Sequence, residues 1–202
     1  MFAAIKTQIE QFSADETSAE RKGKLQALVD FIQNKKDSHE IIRLNFICTH
    51  NSRRSHLSQI WAQTMACHFN IPNVYCYSGG TEATAMFPQV TETLSAQGFQ
   101  IQRLSENQNP VYAIKYGSNE QAMICFSKVY QDTFNPQSNY AAIMTCNSAD
   151  DGCPVVLGAA ARFSIPYEDP KAFDGTDLQS KMYAERSLEI AREMYFVLSS
   201  IR

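Results

Sequence analysis

The 202-residue chain lacks an apolar run long enough to cross a bilayer, so contact with a membrane interior is not expected. Its first residues, Met1-Phe2-Ala3-Ala4-Ile5-Lys6, do not open onto the hydrophobic stretch and small-residue cleavage site of a secretory leader, and a cytoplasmic location is expected. An excess of positive charge is missing too. The 18 Lys and Arg face 21 Asp and Glu, for a formal net charge of −3, which leaves no electrostatic footprint for nucleic acid. Cysteine is too sparse for a disulfide scaffold: there are six, in a chain long enough to bury a sizeable core. In a reducing compartment they point to thiol chemistry or to burial. No second close pair of Cys or His completes a zinc site, so no metal is expected.

What is present is an ordinary globular composition, 44% hydrophobic and 19% charged, suited to one domain with appendages. Its most informative stretch is Cys48-Thr49-His50-Asn51-Ser52-Arg53-Arg54-Ser55. The β-rich run Ile41–Ile47 precedes it, and Leu57–Ala66 follows with apolar residues at helical spacing. Cys48 is therefore expected on a strand-to-helix turn. There the first helical amides have no intrahelical partners and, with the positive end of the helix dipole, face whatever occupies the loop. An anion would rest on the loop from Thr49 through His50, Asn51, Ser52 and Arg53, with Arg54 closing a bidentate clamp on two of its oxygens. The same field favours thiolate over thiol, which makes Cys48 a nucleophile, with Ser55 as a hydrogen-bond donor to its sulfur. Spacing of Cys and Arg alone is a weak signal; the flanking strand, helix and serine strengthen it.

Residues 1 to 36 read as two helices, one with Ile5, Ile9 and Phe12 on a face, the other with Leu25, Leu28, Val29, Phe31 and Ile32. They form an N-terminal extension over residues 1–40 that packs on the main domain or mediates dimerisation. Within 41–202, Asn73–Ser78 reads as a second strand, Gly79-Gly80 as a turn, and 88–97 as a helix. Residues 111–116 and 121–126 flank Gly117-Ser118-Asn119-Glu120 as an antiparallel hairpin, which would make the main sheet mixed. Further strands are expected at 140–145 and 161–165, and a long helix at 176–200. Strands alternating with helices predict a parallel α/β sheet that binds ligand at the carboxyl ends of its strands, where Cys48 lies.

Two other positions carry chemistry. Cys146 and Cys153, in Thr145-Cys146-Asn147-Ser148-Ala149-Asp150-Asp151-Gly152-Cys153-Pro154, follow a strand, so Cys146 belongs at the same sheet edge as Cys48. If Cys146 attacked a species held on Cys48, Cys153 could resolve the disulfide by thiol exchange across a loop loosened by Gly152. Burial of two inert thiols is the competing reading, and Cys67, Cys76 and Cys125 are read as buried. Asp169, in Tyr167-Glu168-Asp169-Pro170, is a candidate acid aimed by its proline, against the plainer reading of an Asp-Pro turn. His50 lies in the loop; His39, His56 and His68 read as surface or helix-face residues.

Taken together, the Cys-Thr-x-Asn-Ser-x-Arg-Ser loop at 48–55, Ser78-Gly79-Gly80-Thr81-Glu82, the Cys146–Cys153 segment and Glu168-Asp169-Pro170 resemble the thioredoxin-coupled arsenate reductases. Those share their fold with the low-molecular-weight protein tyrosine phosphatases. The resemblance covers roughly 41–201. It implies an α/β three-layer sandwich with a mainly parallel central sheet, here with a hairpin insertion and the N-terminal helical extension. It implies that Cys48 attacks arsenate, that Arg54 and the loop bind its oxygens, and that Asp169 serves as acid. Cys146 would displace arsenite, and Cys153 would pass the disulfide on for thioredoxin, the implied electron donor, with no bound cofactor. Only the reductases have the later cysteine pair; a phosphatase whose cysteines regulate Cys48, and a noncatalytic oxyanion-binding module, are the alternatives. The chain departs from the pattern at His50, where Gly is usual, at Arg53, where Cys is common, and at Gly79, where Ala is common.

Overall fold

The computed structural model describes residues 1–152 and 155–202. Two helices open the chain, α1 (Ala3–Ile9) and α2 (Ala19–Asp37). Then come β1 (Ile42–Cys48), α3 (Arg54–His68), β2 (Val74–Gly80) and α4 (Pro88–Ala96). Three short strands follow, β3 (Gln100–Arg103), β4 (Tyr112–Lys115) and β5 (Met123–Cys125). The chain ends with β6 (Tyr140–Met144), α5 (Asn147–Gly152), β7 (Ala159–Ser164) and α6 (Gln179–Ser199). The central sheet is parallel throughout, ordered β2-β1-β6-β7, and with its helices it forms a three-layer α/β sandwich. β1 and β6 are the middle strands, and nearly every residue of both is buried, as central strands covered on both faces require.

Side chains alternate across β6 and divide the interior into two cores. Ala141 and Ile143 join Leu44 and Phe46 in the larger one, against the long helices. Tyr140, Ala142 and Met144 face the other way and pack with Ile47, Cys48, Cys146 and Ala149.

The helices of residues 1–40 pack on the domain. Ile5, Ile9, Leu25, Leu28 and Ile32 are fully buried in the larger core. Phe12 meets Trp61 and Tyr195 edge to face, at centroid distances of 6.4 and 6.0 Å.

Three expectations need correction. The hairpin does not join the main sheet: β4 pairs antiparallel with β5 on one side and with β3 on the other, forming a separate sheet ordered β3-β4-β5. β3 was not foreseen, because Gln100-Ile101-Gln102-Arg103 has one apolar residue and little pattern to read. Gly79 and Gly80 are not a turn but the end of β2, where another backbone runs too close for a side chain. A Cβ on Gly79 would lie 2.4 Å from the Cα of Tyr130. Lastly, 147–152 is a helix and not a loose loop.

Because Leu28 shares its core with the sheet, Leu28→Ala should cost about 2–5 kcal/mol and lower the midpoint of one cooperative urea transition. An unchanged main transition would show that the N-terminal helices fold as a separate unit.

Candidate active site

Cys48 ends β1 at the carboxyl edge of the sheet and is almost fully buried. The chain from Thr49 to Arg53 turns back tightly before α3 begins. Asn51 takes the left-handed conformation at φ 43°, which asparagine tolerates better than most residues. Its amide group holds the turn together: Nδ2 donates to Ser55 Oγ at 2.8 Å, and Oδ1 accepts from the Lys128 main-chain N–H at 3.0 Å. Ser55 Oγ lies 3.1 Å from Cys48 Sγ, the distance of a hydrogen bond to the sulfur.

Four of the loop's carbonyls are turned outward, each to a donor. Cys48 O accepts from the Thr81 N–H, Thr49 O from the Glu82 N–H and the Thr81 hydroxyl, and His50 O from the Ser127 and Thr84 hydroxyls. Ser52 O accepts from the Phe87 N–H. Among the described residues, the N–H groups of His50, Asn51, Ser52 and Arg53 have no protein acceptor. Gly80 makes this arrangement possible, since a Cβ there would lie 2.7 Å from both Asn51 N and Thr49 O.

Arg54 begins α3 beside the loop. Its Nη1 donates to Tyr167 O at 2.9 Å and its Nη2 to Asp169 Oδ2 at 2.5 Å, while its buried Nε has no partner. A narrow pit, about 10 Å³ to a water-sized sphere, lies between Cys48, His50, Ser52, Arg53, Arg54 and Asp169. It has room for about one water. Asp169 caps a short 3₁₀ turn, Pro170–Phe173, and its Oδ1 accepts from the Lys171 N–H at 3.0 Å.

The structure thus brings Cys48, Ser55, Arg54 and Asp169 to one place, with His50 and Ser52 at the wall. Two loop side chains expected to touch the anion are employed elsewhere. The Asn51 amide braces the loop, as above. The Arg53 guanidinium turns to Asp174 (Nη2 to Oδ2, 2.6 Å) and to the Tyr183 hydroxyl (2.5 Å), lying 4.1 Å above the Phe87 ring. Each can still offer its main-chain N–H. His50 is half-exposed, with Nε2 3.6 Å from Glu82 Oε2.

Cys146 follows β6, the strand beside β1, and the Thr145 N–H donates to Ile47 O at 2.7 Å. It is buried in the same small core as Cys48. The Thr49 hydroxyl lies 3.5 Å from its sulfur, which also accepts from the Ala149 N–H at 3.4 Å. Cys153 lies outside the described residues. Cys76 and Cys125 are buried as expected, and burial pushes the Cys125 thiol up to about 12 and the Cys76 thiol higher still. Cys67 is only half-buried.

Of the two readings given for His56, surface or helix face, it lies on a helix face but not at the surface. It is fully buried behind the loop, with Nδ1 3.1 Å from Ser78 Oγ, and burial together with the charge of Lys128 pushes its pKa down to about 3. Lys128, also buried, is pushed down to about 8 by desolvation. Its ammonium lies 4.4 and 5.2 Å from the Phe126 and Phe134 rings. Sequence reasoning missed Ser127, Lys128, Asp174 and Tyr183, which support the loop and the acid; no local spacing marks them.

No family model matches the chain, and no curated protein matches it. Among solved structures, a low-molecular-weight protein tyrosine phosphatase from T. tengcongensis is similar at TM-score 0.53 and 14% identity, covering 79% of this chain and 99% of its own. A YwlE mutant from Bacillus subtilis is similar at TM-score 0.52 and 13% identity, covering 78% and 97%. An arsenate reductase from Archaeoglobus fulgidus reaches 0.49 at 16% identity, covering 77% and 98%. The fold is therefore that of the low-molecular-weight phosphatases.

Gly80→Ala should displace the loop and cost about 1–3 kcal/mol, read as a lowered thermal midpoint; an unchanged midpoint would mean that the close approach is not rigid. His56 gives a pH dependence. Its folded pKa lies below the unfolded value of about 6.5, so the unfolded chain takes up a proton that the native one refuses. Stability is lost as pH falls from 6.5 toward 3, and His56→Gln should flatten that part of a urea-midpoint profile. An equally steep profile in the variant would contradict the assignment.

Proposed function

We propose that the chain is an oxyanion-handling thiol enzyme that reduces arsenate to arsenite through Cys48 and Cys146. The observation that carries the oxyanion is the hydrogen-bond accounting of the loop. Among the described residues, four N–H groups and Arg54 Nε lack protein acceptors, while the carbonyls of Cys48, Thr49, His50 and Ser52 are satisfied. Unmet donors of this kind are rare in folded proteins, and a tetrahedral oxyanion above Cys48 meets them. The reductive step draws support from Cys146, a second thiol on the adjoining strand end.

In the first step the Cys48 thiolate attacks arsenic and an arsenic–oxygen bond breaks, the oxygen leaving as water with a proton from Asp169. Ser55 and the loop N–H groups hold the thiolate and the oxyanion. Cys146 then attacks the Cys48 sulfur. The sulfur–sulfur bond forms, the sulfur–arsenic pair returns to arsenic, and As(V) leaves as As(III) while two thiols become a disulfide. A dithiol, with thioredoxin the proposed donor, restores them, and Cys153 is proposed to pass the disulfide to it.

Hydrolysis of phosphate monoesters is the second reading, because it requires the same nucleophile, clamp and acid, and phosphatases share the fold. Arsenite formation with thioredoxin and its reductase, measured beside aryl phosphate hydrolysis, separates the two. Cys48→Ser should abolish both activities, whereas Cys146→Ser and Cys153→Ser should abolish arsenate turnover alone. Undiminished arsenate turnover in Cys146→Ser would end the relay and leave the phosphatase. Survival of both activities in Cys48→Ser would remove the enzyme reading.

A further inference from the structure

Arg54 holds Asp169, yet it must also bind the oxyanion, and one guanidinium cannot keep its full grip on both. What holds the acid when Arg54 lets go is written in the two ends of the segment 166–174. At the first end, Arg21 of α2 donates from Nη2 to Pro166 O at 3.0 Å. It is itself fixed by both oxygens of Glu193 on α6, at 2.5 and 3.1 Å. The Tyr167 hydroxyl donates to the same carboxylate at 2.7 Å, and the Arg21 guanidinium lies 4.9 Å from the Tyr167 ring. At the far end, Arg53 donates to Asp174 Oδ2, the Tyr183 hydroxyl donates to Asp174 Oδ1 at 2.6 Å, and Arg53 also donates to that hydroxyl. Phe87 stacks on Tyr183, with centroids 5.7 Å apart, and floors the guanidinium. Both anchors are largely shielded from water, with side-chain exposures of 17% for Arg21 and 11% for Arg53, so they are screened less than surface pairs.

We propose that Arg21 and Arg53 are positioning residues that hold segment 166–174 over the site, so that Asp169 stays in place as an acid when Arg54 moves from it to the oxyanion. Neither guanidinium reaches the reacting atoms, and Arg53 offers the oxyanion only its main-chain N–H. The arrangement explains why a loop position next to the clamp carries an arginine whose guanidinium turns away from the anion. It also gives the N-terminal helix a task at the site. The acid step is the transfer of the Asp169 carboxyl proton to the leaving oxygen as the bond from that oxygen to phosphorus or arsenic breaks and its electron pair stays on oxygen.

The catalytic consequence rests on the proposed function; the anchoring does not, and the test reads them separately. Hydrogen exchange over residues 166–174 is compared in the wild type, in Arg54→Met, where Asp169 has lost its clamp, and in Arg54→Met combined with Arg53→Met or Arg21→Met. The segment should stay protected in Arg54→Met and open in the combined variants, with exchange in β1 and β6 unchanged as the check on folding. Protection lost already in Arg54→Met, or retained in the combined variants, would overturn the anchors whether or not the protein is an enzyme.

Hydrolysis of phenyl phosphate and of p-nitrophenyl phosphate then reads the acid, since only the more basic leaving oxygen depends strongly on a proton donor. Arg53→Met should lower kcat on phenyl phosphate by about tenfold or more and on p-nitrophenyl phosphate by no more than about threefold, with Arg53→Lys recovering part of the loss. Equal losses on both substrates would overturn the positioning role. A wild type that turns over neither substrate would count against the proposed function, with the exchange results still deciding the anchors.

Discussion

Hydrogen-bond geometry in five residues governs this site. Fixing the carbonyls of Cys48, Thr49, His50 and Ser52 outward leaves the N–H groups of 50–53 without acceptors among the described residues, and the supporting elements answer to that need. β2 ends in two glycines, Gly80 so that the loop can lie against it and Gly79 so that the backbone at Tyr130 can. The 126–130 segment runs beside β2, exchanging Gly80 N–H to Lys128 O and Tyr130 N–H to Gly80 O, each at 2.8 Å, and so delivers Ser127 and the Lys128 N–H to the loop. Asn51 converts the Lys128 contact into a grip on Ser55, and through Ser55 on the sulfur. A cradle of fixed dipoles needs no reorganisation when charge arrives, which is how such sites stabilise developing anions.

The sequence carried this centre more fully than its surroundings. Cys48, Arg54 and Ser55 are local to one strand, one turn and one helix, and local pattern is what periodicity reports. β1, β6 and α6 were legible for the same reason, as long apolar or amphipathic runs. The supporting residues come from distant segments: Ser127 is 77 positions from His50, and Asp174 is 121 from Arg53. Spacing in a sequence cannot reveal such partners. Gly79-Gly80 shows the same limit, because a glycine needed for close approach reads the same as one needed for a turn. His56 misled because a neutral imidazole buried on a helix has no periodic mark of its own, and Lys128, whose charge helps keep it neutral, lies 72 positions away.

The thiols divide by what their sulfurs are offered. Cys48 has the Ser55 hydroxyl at 3.1 Å, and Cys146 has the Ala149 N–H and the Thr49 hydroxyl at 3.4 and 3.5 Å. Cys125 is the reverse case, a fully buried thiol acting as donor toward Gln59 Oε1 at 3.9 Å, with burial holding it protonated. Ser55 Oγ already accepts from Asn51 Nδ2, which leaves its hydroxyl hydrogen free to point at Cys48 Sγ, and Cys146 Sγ accepts from a main-chain N–H. The two sulfurs so supplied are the two at the carboxyl ends of the adjoining middle strands, and Thr49 lies between them. Chemistry confined to one thiol would need only Cys48 to be treated this way. Cys146 also accepts from a main-chain N–H, and that provision for a second sulfur is what supports the relay proposed for this site.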